Sequence, residues 1–339
     1  MPELPEVEVA SRQLRAWLRG QRIVEARASR SRVIRGQAPQ RFATLEGLVL
    51  ADVERRGKWM LLDFDRGQSL LSHLGMTGKW IRRRPSEPAA SHVRASLTLA
   101  SGDVVDYRDP RLFGRLVRGT ADELRALPAI RALGPDPLVG IDVERLQRVI
   151  AGTRRSLKEA LMDQRTLAGL GNIQVAESLH RAGLNPQRPG TSLSLDEAER
   201  LSGAIAASLR ATLEVEDGDE PITYVEEGGA NTFLVYDRFG EPCTTCGTAI
   251  ERIVQGGRST FFCPSCQPAA LQRAGGKPRA GAAPPPRVAG RPRTSGTRKP
   301  RSAAKPLAGA PGKSRAASPR TPPSIAPGRV RRGPPKKGA

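Results

Sequence analysis

The chain has no run of 18 apolar residues, so it offers no segment for crossing a bilayer as a helix, and no membrane partner is expected. Its opening, MPELPEVEVA, has neither a basic head nor an apolar core and does not read as a secretory signal. Aromatic residues are scarce, and from Pro268 to Ala339 there are none. The same stretch has no Asp or Glu against 18 Lys and Arg, and it holds 15 prolines. It cannot bury enough apolar surface to offset the entropy of ordering, and it reads as a disordered basic tail. Cysteine is confined to four residues between 243 and 266. A secreted, disulfide-stapled protein would spread them more widely. Their clustering reads as a metal site in a reducing cytoplasm. No internal repeat is visible.

What is present divides along the chain. The 339 residues suffice for two ordinary domains and a tail. Residues 1–267 carry 37 basic and 34 acidic side chains, so the excess positive charge belongs mostly to the tail. Residues 3–19 place Leu4, Val7, Leu14, Trp17 and Leu18 at helical spacing, with Pro5 tolerated in the first turn and Gly20 ending the run. From 22 to about 119 the text becomes short alternating runs such as KWMLLDF and RASLTLA, broken by turn signals. That pattern predicts an antiparallel sandwich or barrel. Helical periodicity then predicts helices over 121–132, 142–151, 155–163, 172–182 and 194–214, with Asp142 and Ser194 as caps.

Cys243-x2-Cys246 and Cys263-x2-Cys266 are 16 residues apart. Four thiolates at this spacing close a tetrahedral zinc site with no open position, so one structural Zn2+ is expected; four free or redox-active thiols are the alternative. Between the pairs lies Gly256-Gly257-Arg258-Ser259, a tip able to bring an arginine close to a phosphodiester. Zinc ribbons serve many functions, so this element alone identifies none.

Pro2 follows Met1, and removal of the initiator would leave a terminal secondary amine. An α-amino group has a pKa of about 8, which leaves a useful unprotonated fraction near neutrality. Such an amine can attack an electrophilic sugar carbon and form an iminium. Glu3 and Glu6 lie beside it, where acidic residues also simply suit a helix N-terminus.

Taken together, the motifs say more. PELPEVEV, Arg56-Gly57-Lys58, Ser72-His73-Leu74-Gly75-Met76-Thr77-Gly78, Asp109-Pro110-Arg111-Leu112-Phe113-Gly114, Gly169-Leu170-Gly171-Asn172-Ile173 and Gly257-Arg258-Ser259-Thr260-Phe261-Phe262-Cys263 occur in this order. The chain resembles the formamidopyrimidine-DNA glycosylase family and its endonuclease VIII-like relatives over about residues 2–267. Its opening is of the formamidopyrimidine branch. The resemblance implies an α+β protein. Residues 1–120 would form an antiparallel β-sandwich with an N-terminal helix, and 121–232 a helix-two-turns-helix DNA-binding domain. Residues 233–267 would form a zinc β-hairpin and 268–339 the tail.

The resemblance also implies roles. Pro2 would attack C1′ of a damaged nucleotide, Glu3 would act as the acid, and Lys58 would donate a proton. Arg258 would grip phosphate and assist the second elimination. Asn172 would bind a flanking phosphate at the start of a helix. A lesion inside a duplex must be flipped out and its void filled. Met76, Arg111 and Phe113 suit that filling: a thioether, a planar cation and an aromatic wedge. Taken singly, Met76 and Phe113 suit an apolar core and Arg111 a surface turn. His73 reads as a phosphate contact or a core histidine. His92, Arg154 and Glu6 are carried as DNA-site residues, with a solvated face the alternative for Arg154.

Two departures stand out. Leu112 sits where relatives often have a second basic residue. The acidic stretch 214–231 lacks the family's usual text, in a region that includes the loop closing over the flipped base. The expected activity is bifunctional excision of oxidised bases, such as 8-oxoguanine and formamidopyrimidines, from duplex DNA with β,δ-elimination. Preference for oxidised pyrimidines or abasic sites, or a non-catalytic DNA-binding protein on the same fold, are the alternatives. A monomer in a bacterial-type, nucleoid-associated cytoplasm is expected.

Overall fold

Helix α1 spans Leu4–Leu18, as the apolar spacing predicts, and buries Leu4, Val7, Leu14 and Leu18 along one stripe. A computed structural model of the chain describes residues 2–34, 37–216 and 231–269, all within one compact unit. The expected disorder of the tail beyond Ala269, and most of the acidic stretch after Glu216, lie outside the described residues. Gly20 adopts φ +75, a left-handed conformation that turns the chain out of α1.

Eight strands follow. They are β1 (Ile23–Ala28), β2 (Leu50–Arg56), β3 (Trp59–Phe64), β4 (Gln68–His73), β5 (Lys79–Arg83), β6 (Val93–Leu99), β7 (Val104–Arg108) and β8 (Arg115–Thr120). They form two antiparallel sheets of four, ordered β1-β6-β7-β5 and β2-β3-β4-β8. Alternation along each strand turns one face inward. Met60, Leu62, Leu70, Trp80, Leu97, Val105, Tyr107 and Leu116 meet between the sheets in one apolar cluster. Burying each such side chain contributes roughly 1.5–3 kcal/mol. Trp80 also donates its indole N–H to the buried Ser72 hydroxyl at 3.1 Å, satisfying both polar groups inside the core.

The sheet order places two loops side by side. Residues 74–78 leave β4 in one sheet for β5 in the other, and 109–114 make the return crossing from β7 to β8. His73 pairs with Arg115, and Lys79 with Arg108. Both crossings therefore lie at the same end of the sandwich.

A short helix, α2 (Pro39–Ala43), lies between β1 and β2, and the helical half contains α3 (Ala121–Arg125), α4 (Pro128–Arg131), α5 (Val143–Ala151), α6 (Leu157–Met162), α7 (Asn172–Arg181) and α8 (Leu195–Glu216). The single helix expected over 121–132 is broken. Pro128 starts a new helix and holds Leu127 at ψ 134, outside the helical region. Asp142 caps α5 through the Arg145 N–H, and Ser194 and Glu197 exchange capping bonds at the start of α8. Leu4, the first residue of α1, packs with Leu161, Leu170 and Val175 in the helical core, whereas Val7 and Leu14 pack in the sandwich. Helix α1 thus joins the two halves. A last hairpin, β9 (Glu251–Gln255) and β10 (Arg258–Phe262), lies against α7. No helix among the described residues is long and apolar enough to cross a membrane.

Candidate active site and nucleic-acid interface

The N-terminus is fixed by the start of α7. The Leu4 N–H donates to the Gly169 carbonyl at 3.0 Å. The Glu3 carboxylate, fully buried, accepts from the Ile173 N–H at 2.9 Å and the Gln174 N–H at 3.0 Å. A carboxylate 170 residues away in sequence thus serves the free N–H groups of a helix's first turn. Gly171 makes this possible. A Cβ there would lie 2.3 Å from Glu3 Oε1 and 2.6 Å from Lys58 Nζ. Glu3 and Lys58 therefore converge on one glycine.

A cleft of about 390 Å³ opens beside them, lined by Pro2, Lys58, His73, Gly75, Leu170 and Arg258 among others. These come from the start of α1, the head of β3, the end of β4, the loop before α7 and the hairpin tip. Burial lowers the Lys58 pKa, Glu3 and Glu6 oppose that, and Arg258 adds to it. Glu6 is pushed up to about 7, first by burial and then by repulsion from Glu3. Glu6 is only 4% exposed and accepts the Glu3 N–H at 2.8 Å. Of the expected DNA-site residues it is the one most buried, bracing the first turn of α1. His73 is lowered to about 4 by burial, with Lys58 and Arg115 adding to the effect. Its Nδ1 accepts from the Gly75 N–H at 3.0 Å, which leaves Nε2 to carry the proton.

The crossing loops carry the expected wedge residues. Met76 is half-buried and Phe113 is 50% exposed, so neither belongs to the core. The Arg111 guanidinium sits 5.1 Å from the Phe113 ring centre, a cation–π arrangement. Leu112, at φ +59, turns its side chain onto the sandwich core. It is a packing residue, which explains why an apolar side chain suits that position. Gly75 lines the cleft and also touches the second loop: a Cβ there would lie 2.5 Å from the Phe113 carbonyl carbon. The two crossing loops are therefore contiguous with the cleft.

The remaining expected contacts are more dispersed. Asn172 starts α7, and its amide N–H donates to the Ser259 carbonyl at 3.0 Å, while its buried Oδ1 has no partner. An amide nitrogen has a second hydrogen to offer a phosphate. His92 is exposed, at φ +65, and pairs with the Ser91 hydroxyl. Arg154 is exposed just before α6, whereas its neighbour Arg155 is tied to Asp163 at 3.0 Å.

The sequence reading passed over Lys158. It lies on the buried face of α6 and donates to the Ser259 carbonyl and the Thr260 hydroxyl, beside Arg258. Burial, reinforced by Arg258, lowers it to about 8. A lysine at a helical core position is a visible signal, but its partners are 101 and 102 residues away. Glu177 was also missed. Its buried carboxylate accepts from the N–H groups of Leu234, Val235 and Tyr236 and fixes the chain ahead of the cysteines.

The sulfurs of Cys243, Cys246, Cys263 and Cys266 all lie within 4.8 Å of one another. Four thiols so gathered suit one tetrahedral Zn2+ with no open coordination position. The metal site is thus structural. It closes the base of the hairpin whose tip, Gly256 and Gly257 at positive φ, presents Arg258. His180 of α7 places Nε2 3.5 Å from the Cys243 sulfur.

Comparison with known proteins agrees with this arrangement. Residues 1–116 match the family model of the formamidopyrimidine-DNA glycosylase N-terminal domain, 133–222 that of its H2TH domain, and 240–269 a zinc finger found in FPG and IleRS. The chain is 40% identical over 274 residues to formamidopyrimidine-DNA glycosylase of Methylococcus capsulatus, spanning 79% of this chain and all of that one. It is 39% identical over 295 residues to the same enzyme of Azorhizobium caulinodans, with the same coverage. Among solved structures, Lactococcus lactis Fpg with a FAPY-dG containing DNA superposes with TM-score 0.72 at 28% identity, covering 79% of this chain and 100% of that one. MutM with carbocyclic 8-oxo-G containing DNA gives 0.71 at 29%, with the same coverage. The chain belongs to the formamidopyrimidine-DNA glycosylase family.

Proposed function

We propose that the protein excises oxidised purines from duplex DNA and then cleaves the strand, with Pro2 as nucleophile. The observation that carries this reading is the meeting of Pro2, Lys58 and Arg258, from three separate segments, around one cleft, with Glu3 converging on Gly171 beside Lys58. With Met1 removed, the neutral Pro2 amine attacks C1′ as the glycosidic bond breaks, and the proton its nitrogen sheds goes to the departing base. Glu3 supplies the proton that opens the sugar. The resulting iminium acidifies the C2′ hydrogen. Its loss expels the 3′ phosphate, and a second elimination expels the 5′ phosphate. Lys58, its pKa lowered by burial, serves as a proton donor. Arg258 holds phosphate and assists the second elimination. His73 stays neutral at pH 7 and offers Nε2–H to a phosphate.

Met76, Arg111 and Phe113 fill the place of the flipped nucleotide. Asn172, His92 and Arg154 contact the flanking backbone. Zn2+, held by Cys243, Cys246, Cys263 and Cys266, gives the hairpin its fold and takes no part in bond breaking. The purine assignment is supported by the FAPY-dG and 8-oxo-G DNA bound by the structural relatives. The protein acts as a monomer, with the nucleoid as its place of work.

Duplexes carrying one lesion each test the substrate class under single-turnover conditions. Faster release of 8-oxoguanine and formamidopyrimidines than of oxidised pyrimidines is expected. The reverse order would transfer the protein to an endonuclease VIII-like specificity. Cleavage of abasic sites alone would overturn the glycosylase reading.

A further inference from the structure

We infer that Asp109 is a positioning residue whose carboxylate clamps the loops 74–78 and 109–114 into one unit, so that Met76, Arg111 and Phe113 enter the duplex together. This rests on the reading that these three side chains fill the void.

The carboxylate is fully buried, and three donors converge on it. Oδ1 accepts from the Thr77 hydroxyl at 2.8 Å and the Arg111 N–H at 3.2 Å. Oδ2 accepts from the Gly114 N–H at 2.8 Å. Thr77 follows Met76 in one loop, while the Arg111 and Gly114 N–H groups bracket the second. Its own backbone is pinned too. The Asp109 N–H donates to the His92 carbonyl at 3.1 Å, and its carbonyl accepts from Arg94 Nε at 2.9 Å.

The surroundings pack the two loops closely against each other. The Gly75 backbone abuts that of Phe113 and Gly114. The Tyr107 hydroxyl donates to the His73 carbonyl at 3.1 Å and underlies both loops: a Cβ at Gly78 would lie 2.2 Å from it, and one at Gly114 1.9 Å. Leu112 is held at φ +59, which a non-glycine residue adopts reluctantly. Such a conformation persists when surrounding bonds over-determine it.

The chemistry needs a carboxylate. An ionised carboxylate is acceptor-only, with lone pairs enough for three donors. Asparagine has one accepting oxygen, and its NH2 would face either the Gly114 N–H or the Thr77 and Arg111 donors. One loop would then be released. Three wedge side chains on unlinked loops would each have to be ordered as the base leaves, at an entropic cost that a prior clamp removes.

The test compares Asp109→Asn, Thr77→Val and the double variant on two substrates. One is an 8-oxoguanine duplex under single-turnover conditions. The other is a single-stranded oligonucleotide with a preformed abasic site, which has no partner strand and no void to fill. Asp109→Asn should slow duplex excision about 10- to 100-fold, the scale of an ångström-sized misplacement. Single-strand cleavage should change less than about 2-fold, since the Pro2 chemistry is untouched. Thr77→Val should show the same selectivity more weakly, and the double variant should be no slower than Asp109→Asn alone. Equal slowing on both substrates would make Asp109 a general structural residue and overturn the inference, as would unchanged duplex excision. If Asp109→Asn does not fold, the duplex-to-single-strand ratio of Thr77→Val decides alone. Wild-type protein inactive on both substrates would instead sink the functional reading.

Discussion

Glu3 illustrates what a single residue needs from the fold. In the sequence it is an acid next to a candidate nucleophile. In the structure its two oxygens are held by the first turn of α7. Glu3→Gln keeps one acceptor and loses the acid. Base release should fall by about 100- to 10,000-fold, the usual range for a lost general acid, while cleavage at preformed abasic sites is largely retained. Equal loss on both substrates would contradict the assignment. His73 gives a pH signature. Its pKa falls from 6.5 unfolded to about 4 folded, so the unfolded chain binds more protons between those values. The stability of the neutral ring is complete above 6.5 and is lost as pH falls through 4. His73→Gln should therefore flatten the acid side of a stability profile between pH 6.5 and 4, measured by denaturant midpoints. An unchanged slope would show that His73 titrates normally. Pro2, Glu3, Lys58 and Arg258 are singled out by motifs in the sequence. That Gly171 sits between Glu3 and Lys58, or that Asp109 ties two loops, was not legible there, because these are contacts between distant segments.

Elements were legible where local chemistry dominates. Asp142 and Ser194 cap as their side chains dictate, and the short alternating runs form the strands of an antiparallel sandwich. Pro128 was visible but underweighted: its ring broke a helix that apolar spacing alone would continue. Sheet order was not legible, because pairing is set by packing across the sandwich. It is the sheet order that brings loops 74–78 and 109–114 together. The zinc hairpin carries its own prediction. With Cys246→Ser, one of four thiolates is lost and a structural zinc is released, since such sites supply folding energy directly. Metal analysis should drop from about one zinc per chain towards none. Phosphate contact through Arg258 should weaken with it, seen as poorer DNA binding. Full activity in verified metal-free protein would refute a structural role.

At the scale of the molecule, α1 spans two cores, with Leu4 in one and Val7 in the other. Pro2 therefore sits where the halves meet. Substitution of Leu4 by Ala should destabilise by about 2–5 kcal/mol, the range for a buried leucine, and should disturb the docking of Glu3 as well. A thermal melt of the variant with retained full activity would contradict that coupling. Residues 268–339 add 18 positive charges and no negative ones. Lys and Arg that neutralise phosphates release counterions, so affinity falls steeply with salt. Deleting 268–339 should weaken binding to undamaged duplex and flatten its salt dependence. Single-turnover excision should barely change, because Pro2, Glu3, Lys58 and Arg258 all lie ahead of the deletion. An unchanged salt slope would show that the tail takes no part in binding undamaged DNA.

The most direct measurement of the central claim is borohydride trapping on abasic-site DNA, followed by peptide mass spectrometry of the adduct. The mature chain should begin at Pro2, and the reduced sugar should be attached to its nitrogen. An active enzyme that keeps Met1, or an adduct on Lys58 in place of Pro2, would contradict the account.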